Sequence, residues 1–299
     1  MFDGGRVKLG IAPIAWTNDD LPTLGGENTF EQCISEMALA GFSGSEIGSK
    51  FPKDARQLQK ALNLRKLEIC NAWFSSYLIS QPFEDTERLF REKAAFLCKM
   101  GAKIIGVSEQ SYSTQGIITQ PIFEDRHCMN EEEWNLLSNG LNRLGKIAKE
   151  IYGLLLTYHH HMGTVVQNDK ETERLMAETD PSYVGLLYDS GHFAYSKENA
   201  VEMVEKYAGR IRHVHLKDIR SDVVRRVKDE RMSFLEGIKE GTFTVPGDGD
   251  IDFGTIFQVL DASGYEGYMV VEAEQDPGNA NPLEYALKAR VYIAQETGL

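Results

Sequence analysis

The sequence predicts an α/β protein, folded as a single-domain (β/α)8 TIM barrel spanning residues 1–299. Three observations predict it. Strand-like and helix-like segments alternate from end to end, eight of each. The strongest strands are LLLTYHHH (Leu154 to His161), VGLLYDSGH (Val184 to His192), IRHVHLKD (Ile211 to Asp218) and YMVVEAE (Tyr268 to Glu274). Each starts apolar, as a strand buried on both faces does, and finishes in His, Asp or Glu. No Pro/Gly/Ser linker or composition break divides the chain. A doubly wound open sheet competes, but it usually stops at about five or six strands, and no GxGxxG follows any strand here.

The elements follow in order. The first strand is read over Val7 to Trp16, and its helix begins near Thr29, where Thr29 and Gln32 suit a capping box and Gly41 marks the exit. A short strand, Gly44 to Gly48, precedes a helix around Asp54 to Leu64. The third strand, Leu67 to Trp73, leads to a helix at about Thr86 to Met100, with Phe90, Ala94 and Leu97 on one face. The fourth is Lys103 to Glu109. In the next helix Trp134, Leu137, Leu141, Leu144 and Ile147 form a continuous stripe, which Gly153 ends. The fifth strand, Leu154 to about His160, is followed by a helix near Lys170 to Glu178. The sixth, Tyr183 to Asp189, precedes a helix in which Val201, Val204 and Ala208 share a face. Ile211 to Lys217 is the seventh strand; Tyr268 to Glu272 is the eighth, closed by a helix from Pro282 to about Glu296. Two connections, Gln110 to Asn130 and Ile219 to about Asp250, are too long for simple turns and follow strands, so both are expected over the active face. The second holds a helical-looking stretch, Val223 to Glu240, and then VPGDGDIDF. Its glycines and proline suit a fixed turn, because no Lys-Ser/Thr pair follows to make a phosphate cradle.

Composition narrows the function. A hydrophobic content of 42% supports a sizeable core, and a net charge of -13 argues against nucleic acid or an anionic membrane surface as partner. No run reaches the length of a membrane span, and the first residues do not resemble a signal peptide, so a cytoplasmic enzyme is expected. The four cysteines are scattered without a CxxC pair, which suits reduced thiols; Cys33 and Cys98 are read as small core residues of helices.

Chemistry concentrates at the strand ends. Asp189 ends the sixth strand, and is read either as a helix N-cap or, with His192 three residues on, as a metal ligand. His213 and His215 alternate onto one face, with His215 nearer the mouth as ligand and His213 supporting it. Lys217 continues that face, beside substrate or metal, or paired with Asp218. Glu272 closes an apolar strand, where a carboxylate is costly unless coordinated; Glu274 is read as rim. In the triplet of the fifth strand, His159 and His161 share a face and His160 points away. Glu46 and Glu109 add carboxylates at the same rim, and Trp16 and Trp73 are candidate apolar walls for a sugar-like ring.

The segments GSEIGSKFP (Gly44 to Pro52), YHHHMGT (Tyr158 to Thr164), YDSGH (Tyr188 to His192), HVHLKD (His213 to Asp218) and VPGDGDIDF (Val245 to Phe253) resemble the inosose dehydratase family of myo-inositol catabolism. That family lies within the xylose isomerase-like barrels. The resemblance implies a divalent metal, manganese or cobalt, with glutathione as a further cofactor. It implies elimination of water from 2-keto-myo-inositol to give a trihydroxycyclohexane-1,2-dione. In the larger group Glu, Asp, His and Glu from successive strand ends hold the metal, and Asp189, His215 and Glu272 match the last three. The first Glu has no counterpart between Thr157 and His161, which leaves His159, His161 or Gln167 to replace it. His161 or His159 is then expected to take the proton, and His192 or Lys217 to assist the departing hydroxyl. The implied substrate-binding set is Trp16, Glu46, Trp73 and Glu109. The expected partners are a small polyol ketone and, in a homo-oligomer, further copies of the chain. A sugar isomerase or epimerase on the same site is the nearest rival. It needs carboxylate bases on both sides of its substrate, which the histidine-rich fifth strand fits poorly. A non-catalytic sugar- or metal-binding barrel is the rival from outside enzymology.

Overall fold

The alternation read from the sequence is realised as a ring of parallel strands wrapped by helices. The structure, a computed structural model, describes residue 2 and residues 5–299. The first half of the ring contains β1 (Val7–Ile11), α1 (Phe30–Leu39), β2 (Gly44–Glu46), α2 (Ala55–Asn63), β3 (Glu68–Asn71) and β4 (Trp73–Ser76). Then come α3 (Phe83–Lys99), β5 (Ile104–Glu109), α4 (Glu131–Ile147), β6 (Leu155–His159), α5 (Asp169–Glu178) and β7 (Val184–Asp189). A short α6 (Ser190–Tyr195) and α7 (Ala200–Tyr207) lead to β8 (Ile211–Leu216). An insertion follows, made of β9 (Asp218–Ile219), α8 (Ser221–Asp229), α9 (Phe234–Lys239) and β10 (Phe243–Thr244). The chain ends with α10 (Phe253–Ala262), β11 (Gly267–Val271) and α11 (Pro282–Thr297).

The strands pair in the order β3-β2-β1-β11-β8-β7-β6-β5-β4, and β3 and β4 are separated in the chain only by Ala72. The third strand predicted over Leu67 to Trp73 covers β3 and reaches only the first residue of β4, so the strand runs three residues further and is interrupted at Ala72. The first half pairs with β2 and the second with β5, so the ring closes through the chain itself. Asn71 explains the break. Its Nδ2 donates to Glu46 Oε1 (2.8 Å), and its Oδ1 accepts from the backbone N–H of Gly106 (2.7 Å). A side chain thus stitches the seam, and Gly106 leaves room for it: a Cβ there would stand 3.0 Å from Asn71 Nδ2.

Packing follows the periodicities. β7 is buried at every residue, because its two faces meet the barrel interior and the helix layer. Trp134, Leu137, Leu141 and Leu144 of α4 are all buried against the sheet, and Gly153 ends the helical run at φ +65°. Thr29 caps α1 by accepting from Gln32 N–H (3.1 Å), but Gln32 turns its amide to Glu36, so only half of the expected capping box forms. The first strand stops at Ile11, short of the expected Trp16, because a 3-10 turn over Pro13–Ala15 takes the chain sideways. Cys98 is exposed and does not belong to the core, whereas Cys33 is buried.

Both long connections lie over the strands' carboxyl ends and hold each other. Pro121 bridges Ser233, and Ile122 N–H donates to Met232 C=O at 3.0 Å. Ile122, Met162, Tyr195, Phe234 and Phe243 belong to a second apolar cluster beneath them. The predicted helical stretch Val223–Glu240 is broken between α8 and α9, where Arg231 takes φ +56° and Ser233 opens a new capping box with Glu236. The VPGDGDIDF turn is pinned by Asp218, which did not pair with Lys217. Its carboxylate accepts from the backbone N–H groups of Ile219, Gly247, Gly249 and Ile251 at 2.9–3.2 Å. Asp218→Ala leaves those donors without a partner, and is expected to lower the unfolding free energy by about 2–4 kcal/mol. Asp218→Asn should lower it less. Urea titration checks this, and an unchanged midpoint in the alanine variant would refute the pinning role.

Candidate metal centre and active site

The strand ends bring most of the expected residues to one place. His159 at the end of β6 sets Nε2 3.2 Å from Asp189 Oδ2 at the end of β7. His215 on β8 sets Nδ1 3.4 Å from the same oxygen, and also faces Glu272 Oε2 just beyond β11. The candidate ligand atoms of His159, Asp189 and His215 all lie within 4.8 Å of one another. His215 Nδ1 and Glu272 Oε2 are buried and pressed against each other. A ring nitrogen and a carboxylate oxygen drawn together in a buried cluster suit either a shared proton or ligation of a common cation. Two imidazole nitrogens and two carboxylate oxygens form a donor set for a borderline or hard divalent metal.

Surrounding groups aim these ligands. His215 Nε2 donates to Glu46 Oε1 (2.8 Å), so Nδ1 is directed at Asp189 and Glu272: it pairs with these carboxylates when protonated, and its lone pair would serve a metal once the proton is lost. Glu46 also accepts from His213 Nε2 (3.0 Å) and Asn71 Nδ2 (2.8 Å). Burial works to raise Glu46, but the charge of His215 and the hydrogen bonds from His213 and His215 outweigh it and keep the carboxyl well below its usual range. Asp189 takes the N-cap role of its sequence reading, with Oδ1 accepting from His192 N–H (2.9 Å), while Oδ2 faces the cluster. His160 points away, as alternation requires, and stacks on Phe193 at 3.6 Å between ring centroids.

Beside this group lies a second. Lys217 is fully buried, with Nζ 2.7 Å from Glu274 Oε1, 3.0 Å from His192 Nε2, 3.4 Å from Glu272 Oε1 and 3.6 Å from Asp189 Oδ2. Burial favours the neutral amine, yet Asp189, Glu272 and Glu274 keep it protonated. Glu272 is pushed up by burial and pulled down further by His215 and Lys217, to about 2. His161 donates Nδ1–H to Met162 C=O (2.8 Å), so its Nε2 carries the free lone pair. Burial, then His159 and Lys217, lower His161 to about 3, which keeps it neutral.

A cavity of about 710 Å³ opens onto the cluster, lined by Glu46, Trp73, His161, His215, Glu272 and Glu274 among others. His159, Asp189, His192 and Lys217 stand behind that wall. Trp73 lies edge-on to His159 and His161, with centroids 5.2 and 5.6 Å away.

Several expectations are corrected. Trp16 is fully enclosed away from the cavity, with Nε1 donating to Glu36 Oε2 (2.6 Å). Glu109 is also off the cavity wall: it accepts from Ser76 Oγ (2.7 Å) and from the N–H groups of Leu78 (2.9 Å) and Ser111 (3.2 Å). Gln167 accepts from Gly163 N–H (2.8 Å) and is not part of the cluster. Glu274 is 1% exposed, not a rim residue. The sequence reading missed Asp20 and Gln115, which line the cavity from loops where no periodicity marks them.

Comparison with known proteins agrees with this architecture. A model of the xylose isomerase-like TIM barrel family matches residues 34–294. A Clostridium perfringens protein named inosose dehydratase is 61% identical over 299 residues, covering 100% of both chains. One of the same name from Geobacillus thermodenitrificans is 58% identical over 299 residues, again covering 100% of each. Among solved structures, an L-ribulose 3-epimerase superposes with a TM-score of 0.71 at 16% identity, over 98% of this chain and 95% of its own. That last likeness concerns the fold.

Because Glu109 serves buried backbone donors, Glu109→Ala is expected to cost about 2–4 kcal/mol of stability. The KM of the folded variant should stay within about twofold of wild type. Denaturant unfolding and steady-state kinetics measure the two; a large KM increase with unchanged stability would restore Glu109 to the substrate site.

Proposed function

Because this chain belongs to the inosose dehydratases, within the xylose isomerase-like TIM barrels, we propose that it eliminates water from 2-keto-myo-inositol in myo-inositol catabolism. The product is a trihydroxycyclohexane-1,2-dione, and the enzyme is a carbon–oxygen hydro-lyase. One observation supports the assignment to this site: His159 and Asp189, behind the cavity wall, converge with His215 and Glu272 on it, and His215 Nδ1 faces the carboxylates of both Asp189 and Glu272. We take these four as the metal ligands, with His159 in the place that a glutamate holds in the larger group. Manganese or cobalt suits the mixed nitrogen and oxygen donors. When bound, such an ion supplies Lewis-acid polarisation of the substrate ketone.

The chain's own residues do the rest. His161 lines the cavity with Nε2 unprotonated, and accepts the proton from the carbon next to the ketone. The β-hydroxyl then leaves as water, taking a proton delivered through Glu274. Lys217 and His192 stand behind Glu274 as positioning and proton-supplying residues, with Nζ 2.7 Å from Glu274 and 3.0 Å from His192. The carbon that lost its proton already carries a hydroxyl, so elimination yields an enol that tautomerises to the dione. Trp73 closes one side of the substrate, and Glu46 keeps His215 aligned. The resemblance also implies glutathione, which we keep as an expected cofactor. Among the described residues no helix is long and apolar enough to cross a membrane; we place this enzyme, as one domain and in a homo-oligomer, in the cytoplasm.

His159→Ala, Asp189→Ala and Glu272→Ala are each expected to lose both metal and turnover. His161→Ala should keep the metal and lose about 10²- to 10⁴-fold in turnover. Metal analysis with an ultraviolet assay for the dione product decides it. Full metal content and full activity in the Glu272 variant would sink the assignment.

A further inference from the structure

The second cluster has the form of a metal site. The candidate ligand atoms of His161, His192 and Glu274 lie within 4.8 Å of one another, and all three residues are buried. Glu274 Oε2 is buried without a hydrogen-bond partner among the described residues. The two clusters are joined by shared carboxylates. Glu272 turns Oε2 to His215 and Oε1 to the second cluster, while Asp189 Oδ2 lies 3.2 Å from His159 and 4.0 Å from His192. Bridging carboxylates between two cation positions are the arrangement of two-metal enzymes.

In this chain the second position is filled by Lys217. Its ammonium meets Glu274, His192, Glu272 and Asp189 at 2.7–3.6 Å and rests 4.6 Å from the Phe243 ring centroid. The fold makes room for its arm: a Cβ on Gly191 would stand 2.5 Å from Lys217 Cγ. We propose that Lys217 is a built-in second cation, which bars a divalent ion from the His161–His192–Glu274 site and holds the centre to one metal. The consequence is chemical. A second ion would take the lone pairs of His161 and His192, and histidines that ligate cannot carry protons. Lys217 supplies the positive charge that the carboxylates require while leaving His161 free and His192 in a hydrogen bond that can pass a proton. This rests on the proposed metal site at His159, Asp189, His215 and Glu272.

The test counts metal. Wild-type protein, Lys217→Ala and Lys217→Gln are equilibrated with manganese(II) alone, dialysed, and analysed for manganese per folded chain, with circular dichroism to verify folding. One ion is expected in wild type and two in a folded Lys217 variant, with spin coupling between the pair by electron paramagnetic resonance. Adding Glu274→Gln to the variant should return the count to one, and ethylammonium should compete with the second ion. Turnover should stay low in the two-metal form. Two ions in wild type, or one in both folded Lys217 variants, would overturn the proposal. No ion in wild type would instead remove the underlying site, and this inference with it.

Discussion

Four carboxylates, those of Glu46, Asp189, Glu272 and Glu274, are buried in one connected cluster with one lysine, and that imbalance governs the active end of the barrel. A buried anion without a partner is costly, so each must be met by a cation or a directed hydrogen bond. Glu46 is satisfied by Asn71, His213 and His215, and Glu274 by Lys217. Asp189 and Glu272 keep oxygens facing the imidazole nitrogens of His159 and His215, and both also lie within 3.6 Å of Lys217, a nitrogen and oxygen donor set that suits a divalent ion.

The barrel supplies the precision. Each candidate ligand comes from the end of a strand whose neighbours are fixed by parallel pairing, with β7 and β8 placing Asp189 opposite His215 in register. Asp189 is fixed further, because the oxygen that caps α6 cannot rotate without uncapping it. Asn71 ties the ring's seam to Glu46, and Glu46 orients His215. Disturbing the seam therefore reaches His215 through two hydrogen bonds. Above, the two long connections hold each other through Pro121 and Ser233, and the resulting apolar cluster includes Phe234 and Phe243, which flank His192.

Much of this was legible in the sequence. Alternating strands and helices gave the ring, and period-two alternation separated His159 and His161 from His160 correctly. Asp189, His215 and Glu272 stood out because ionisable residues at the ends of apolar strands need a reason. What misled was distance along the chain taken as height in the barrel. Trp16 looked like a strand end, but Pro13 starts a turn that carries it into the helix layer. Glu109 does end its strand, yet its side chain is claimed by the N–H groups of Leu78 and Ser111, a backbone demand that no residue pattern reveals. Glu274 seemed to belong to the rim because it lies beyond the strand; a cationic partner far away in sequence, Lys217, draws it inward.

The substitution at the end of β6 has a physical meaning of its own. With Glu, Asp, His and Glu, the resemblance's larger group surrounds a divalent ion with three negative charges, a net of minus one. With His159 in the first place, this chain would surround it with two, a net of zero. A less negative ligand set draws more electron density from a bound ketone, since Coulomb interactions are strong in a dry site. Elimination gains from that more than isomerisation does, because it must stabilise an enolate and release an oxygen from the neighbouring carbon. The same histidine also removes a carboxylate base from that side of the substrate. In the proposed mechanism proton removal then falls to His161, which is neutral and on the cavity wall, and the chemistry would tilt from moving a proton toward losing water.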